Sequence, residues 1–150
     1  EKVKYPEIYF NDFLIENYFC PEDDCKGQVI EELNNAKHNI YFMTFSFTDD
    51  DIAYAILFQN ISDIKGIFDK LQAASDYSQY KRMKGFGLNV KLDNSKYKLH
   101  HKVFIIDNET VITGSFNPTG AGNFKNDENI LIIHDKSLAK EFLEEFNSLW

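Results

Sequence analysis

The chain has 150 residues, 43% hydrophobic and 15% aromatic, with a formal net charge of −8. That length and apolar content suit one domain around one sizeable core, and no apolar run is long enough to cross a bilayer as a helix. The acidic balance argues against a surface that is basic throughout, yet residues 81–102 hold seven basic side chains (Lys81, Arg82, Lys84, Lys91, Lys96, Lys98, Lys102) against Asp93 alone.

Taken in chain order, strand-like and helix-like segments alternate, which predicts an α/β layered fold, a three-layer α/β/α sandwich with a mixed central sheet and no domain boundary. Glu7–Phe10 reads as a short strand. Cys20 and Cys25 follow in C-P-E-D-D-C, where a disulfide, two free thiols, or half of a zinc site completed by His38 or His134 are all open. Asp23 and Asp24 in that loop read as exposed charges. Residues 28–37 place Val29, Ile30, Leu33 and Ala36 at helical spacing, and residues 39–47 read as a buried strand. Thr48 and Asp51 match a capping box ahead of a helix carrying Ile52, Ala55, Ile56 and Phe58. Residues 64–68 predict a strand, 71–84 a helix ended by Gly85-Phe86-Gly87, and 88–92 a strand. Residues 99–106 and 110–113 predict two strands joined by the Asp107-Asn108-Glu109 turn. Residues 119–126 read as a loop or weak helical turn, 129–134 as a strand, and Ser137 as the cap of a last helix with Leu138, Phe142, Phe146 and Leu149 on one face.

The most specific feature is His100-x-Lys102-x4-Asp107, followed by Gly114-Ser115-Phe116-Asn117. Alternate strand residues share a face, so His100 and Lys102 project together and His101 does not. Asp107 has the opposite parity and lies at the turn, which predicts a structural role. Gly114 permits close backbone approach, and the Ser115 hydroxyl and Asn117 amide can donate to phosphate oxygens.

This pattern resembles the HKD signature of the phospholipase D superfamily. Nearly the whole chain resembles its small single-motif endonucleases: residues 20–37 look like the first loop and helix, Tyr41–Thr48 like the first core strand, and Asp127-Glu128-Asn129 like the acidic step after the G-S-x-N turn. The resemblance implies that His100 is a nucleophile forming a phosphohistidine. Lys102 and Asn117 hold phosphate oxygens, Ser115 supports the phosphate or the histidine, and Glu128 accepts a proton from the other nitrogen of His100. The chemistry of a histidine nucleophile agrees, since one neutral ring nitrogen must be presented. Displacing an alcohol also needs a separate general acid, so a single-motif chain implies a homodimer with two His100 residues across one site. No cofactor is expected. Lysine charge stands where a metal would, and no compact Asp/Glu cluster of metal-ligand type is visible in the sequence.

For substrate, a nucleic acid is expected. Lys81, Arg82, Lys84, Lys96 and Lys98 are the candidate backbone contacts, and Tyr77, Tyr80, Phe86 and Tyr97 could stack on unpaired bases. A phospholipid hydrolase would use the same site on membrane lipid, and a non-catalytic nucleic-acid-binding module is a third reading. The chain begins at Glu1, not Met, so a removed leader or anchor is expected, with an extracytoplasmic or membrane-anchored location ahead of a cytoplasmic one.

Overall fold

A strand covered on both faces needs an apolar run, and residues 40–43 supply one inside Asn39–Thr44, a strand in which every residue is buried. This strand sits inside an eight-stranded sheet in a computed structural model that describes residues 2–150. The elements are β1 (Glu7–Phe10), β2 (Phe13–Cys20), α1 (Cys25–Asn35), β3 (Asn39–Thr44), α2 (Asp50–Leu57), β4 (Asp63–Phe68), α3 (Gln79–Gly85), β5 (Asn89–Leu92), β6 (Lys102–Ile106), β7 (Thr110–Gly114), α4 (Gly120–Phe124), β8 (Glu128–His134) and α5 (Lys136–Leu149). The strand order is β1-β2-β8-β7-β6-β3-β4-β5. Only β3–β4 and β4–β5 pair in parallel; the other pairings are antiparallel.

Strand parity divides the core in two. Ile40, Phe42, Phe104, Ile106, Ile112 and Ile132 face Val29 and Leu33 of α1 and Ile52 and Ile56 of α2. Tyr41, Met43, Val103, Ile105 and Val111 face Ala139 and Phe146 of α5. The result is the expected α/β/α sandwich. At its centre the Phe42 ring lies 6.0 Å from Phe47, 5.5 Å from Phe68 and 6.1 Å from Phe104. A Cβ on Gly66, beside it on β4, would overlap that ring, so the cluster closes only over glycine.

Several local expectations are corrected by long-range contacts. β2 has no counterpart in the sequence reading; the two-residue turn Asn11-Asp12, with Asn11 in the left-handed region at φ 53°, folds it back on β1. The cap of α2 is Asp49, not Thr48: its Oδ1 accepts from Ile52 N at 2.9 Å. Asp135, not Ser137, caps α5, accepting from Leu138 N at 2.6 Å. The helix expected over 71–84 is a 3-10 turn at Gln72–Ala74 and the separate helix α3. Gln79 forces the break, because its N–H donates to Phe47 O at 3.0 Å and its Nε2 to Thr48 O at 3.1 Å.

Asp23 is buried, not an exposed loop charge, and its carboxylate accepts from Val3 N at 3.0 Å and Phe19 N at 2.9 Å. Asp24 is exposed but caps α1 through Gly27 N at 3.1 Å. Cys20 and Cys25 are joined in a disulfide, Cα to Cα 5.7 Å. No helix among the described residues is long and apolar enough to cross a membrane.

Candidate active site

Four strand ends converge at one end of the sheet: the close of β3, the start of β6, the close of β7 and the start of β8. Thr44 pairs with Lys102, and Gly114 with Ile130. Carrying the β6–β7 register two residues past Phe104↔Ile112 sets Lys102 opposite Gly114. His100, Lys102, Ser115, Asn117 and Glu128 all belong to these ends or to the segments beside them.

The regular strand begins at Lys102 and not at residue 99, so exposed His100 sits on an extended segment just ahead of it. His100 and Lys102 do share a face: Lys102 Nζ lies 3.2 Å from His100 Nδ1 and donates to His100 O at 2.7 Å. His101 turns the other way, its Nε2 3.6 Å from Glu145 on α5. An ammonium can only donate, so in this arrangement Nδ1 accepts and the ring proton is on Nε2. Burial lowers the Lys102 ammonium below the ordinary lysine value, and the negative charge of Glu128 opposes that shift.

Gly114 ends β7 where a Cβ would strike Asn129 O, so only glycine lets the two strands approach this closely. Ser115 then braces β8 twice: its N–H donates to Asn129 O at 3.1 Å, and its Oγ accepts from Asn129 N at 3.0 Å. The Ser115 hydroxyl proton stays free for another acceptor. Asn117 Oδ1 is buried without a hydrogen-bond partner. The loop behind it is pinned from α2: Thr48 N and Asp49 N donate to Pro118 O at 2.9 and 3.0 Å, and Asn123 Nδ2 donates to Asp49 Oδ2 at 2.5 Å. Asp49 escaped the sequence reading because its partner is 74 residues away.

Glu128 departs from expectation. It forms no hydrogen bond with His100 and instead accepts from Asn126 Nδ2 at 2.9 Å. Asn126 is two residues away on the same segment, and Lys102 is the group that lies against His100 Nδ1. Asp107 lies at the far end of β6, five residues or roughly 16 Å beyond Lys102. Its carboxylate accepts from Lys37 N at 2.9 Å, His38 N at 2.7 Å and Asn39 N at 3.0 Å. Burial alone would raise this carboxyl, but those donors outweigh it and hold the group below the ordinary carboxylate value.

The basic side chains are less free than their number suggests. Lys81 pairs with Asp76 at 3.2 Å and Arg82 with Asp50 at 2.5 Å, and both line a cavity of mixed charge with Thr48 and Tyr77. Lys84 Nζ lies 3.2 Å from Tyr80 OH. Lys96 and Lys98 are exposed in the loop leading to His100, with exposed Tyr97 between them. Tyr77 and Phe86 are also exposed, whereas Tyr80 packs on Phe68 at 5.5 Å and is not a free stacking platform. One group among the described residues brings three metal-ligating atoms within 4.8 Å: Glu16, Glu32 and His134, at the opposite end of β8 from Glu128.

Residues 29–150 match the family described as cardiolipin synthase, PLD-like domain. The chain belongs to the phospholipase D-like family. It is 30% identical over 132 residues to the phospholipase D of Rickettsia typhi and 31% identical over 136 residues to the mitochondrial cardiolipin hydrolase of Xenopus laevis. In both cases the match covers 87% of this chain and 65% of the relative's length. The crystal structure of Nuc from Salmonella typhimurium, a phospholipase D family member, superposes with a TM-score of 0.83 at 32% identity, covering 91% of this chain and 93% of Nuc.

Proposed function

We propose that the chain is a metal-independent phosphodiesterase, foremost an endonuclease on DNA or RNA, working through a phosphohistidine on His100 in a site shared by two copies of the chain. The observation that carries this reading is the His100–Lys102 contact at the sheet end that also holds Ser115 and Asn117. Lys102 Nζ, the Ser115 hydroxyl and the Asn117 amide N–H groups are donors for the non-bridging oxygens. Lys102 supplies there the positive charge that a metal would otherwise bring.

In the first step His100 Nε2 forms a bond to phosphorus and the P–O bond to the leaving alcohol breaks. That alcohol takes a proton from His100 of a second copy. Water then attacks the phosphohistidine, gives a proton back to that second histidine, and releases the monoester with a free imidazole. The acid must be an imidazolium, protonated on both nitrogens, because a neutral ring protonated on Nε2 alone would be left as an imidazolate. The nucleophile needs the opposite tautomer. A phosphate that draws Lys102 onto its oxygens frees Nδ1 to carry the proton, and Glu128, released from Asn126, is the carboxylate assigned to receive a hydrogen bond from it.

Lipid phosphodiesters are the second reading. The matched relatives named phospholipase D and cardiolipin hydrolase favour it, as does exposed Phe19, which pairs with Asn129 one residue from Glu128. The deciding experiment supplies single-stranded DNA and cardiolipin vesicles separately, in excess EDTA, to wild type and His100→Ala. DNA cleavage lost in the variant supports the nuclease, and vesicle hydrolysis alone moves the assignment to lipid. Turnover that survives His100→Ala, or that EDTA abolishes, overturns the mechanism.

A further inference from the structure

Phe45 is the first residue after β3, and its backbone is fixed: its N–H donates to His101 O at 2.9 Å, extending the β3–β6 pairing one step beyond Thr44↔Lys102. Its half-buried ring touches both members of the His100–Lys102 pair. The ring centroid lies 4.5 Å from that of the His100 imidazole, with the planes inclined by 54°, and Lys102 Nζ lies 5.1 Å from the same centroid.

Both partners need such support. His100 is exposed and no carboxylate binds it, and Lys102 reaches the site on a four-carbon stem with no carboxylate within ion-pair distance among the described residues. Aligning two mobile side chains loses rotamer entropy each time it happens. A ring anchored by the sheet limits those rotamers before substrate arrives, its edge and face restraining the imidazole and its π-cloud attracting the ammonium. We infer that Phe45 is a positioning residue that holds His100 and Lys102 in register. The inference rests on the phosphodiesterase reading for its kinetic consequence and on geometry alone for the contact.

The test compares wild type, Phe45→Leu and Phe45→Tyr on whichever of single-stranded DNA or cardiolipin vesicles the wild type hydrolyses. Leucine keeps apolar bulk and loses the ring face. Its kcat should fall about 10- to 100-fold, the scale of a small misalignment, with KM changed by less than about threefold. Tyrosine keeps the ring and should stay within about threefold of wild type. A second readout needs no substrate: 13C relaxation of the Lys102 Cε methylene should show greater mobility in Phe45→Leu than in wild type or Phe45→Tyr. Wild-type kcat in Phe45→Leu, equal losses in both variants, or equal Lys102 mobility in all three overturns the inference. A wild type without turnover on either substrate sinks the hydrolase reading instead, and the relaxation comparison still judges Phe45. If Phe45→Leu does not fold, Phe45→Met carries the same two readouts.

Discussion

Replacing Asp107 by Asn separates the third letter of the motif from its first two. Asp107 holds φ 55° in a three-residue turn, and asparagine tolerates that left-handed conformation, so the change removes charge without new backbone strain. The carboxylate receives three backbone N–H groups and ties the β6–β7 turn to the segment entering β3. Fully buried, each charge-assisted bond would contribute about 1.5–3 kcal/mol. Here the group is partly exposed, water can replace what is lost, and an amide oxygen keeps some of the bonding. A total loss of about 1–2 kcal/mol is expected. For a domain of this size that lowers Tm by roughly 2–8 °C.

The pH dependence has a definite sign. Because the folded-state value lies below the unfolded one, near 3.9, the Asp107 contribution is complete above that pH and is lost as pH falls through the folded value. The stability gap between wild type and variant should therefore be full at neutral pH and close on acidification below about pH 4. Urea unfolding at several pH values measures it, and kcat at neutral pH should be nearly unchanged. A collapse of kcat with unaltered stability would refute the reasoning, as would a gap that persists undiminished at low pH.

Two further perturbations test neighbouring parts of the structure. Glu128→Gln removes the charge that raises the Lys102 ammonium against its burial, so the alkaline limb of the pH–rate profile should move to lower pH; a limb that stays in place separates Lys102 from that limb. Phe42→Ala opens a cavity among Phe47, Phe68 and Phe104 and should cost about 3–5 kcal/mol in chemical denaturation, with an unfolding loss below about 1 kcal/mol disproving the packing described.

Much of this protein follows from local spacing. The apolar run of residues 40–43 can be buried only between two layers, and period-two alternation is enough to put His100 with Lys102 and to send His101 toward α5. The same parity argument separates Asp107 from Lys102. These are statements about neighbours in sequence, where backbone geometry alone sets which side chains meet. What only the tertiary structure decided is the set of contacts between distant segments. Asp49 reaches Asn123, Asp23 is buried under the N-terminal segment, and Phe45 lies against a histidine 55 residues later in the chain. Glu128 binds Asn126, and Lys102 is the group that lies against His100 Nδ1. Side-chain periodicity carries no information about which strand ends share a sheet edge. That is fixed by the strand order, and the order is set by how the two apolar faces are buried together.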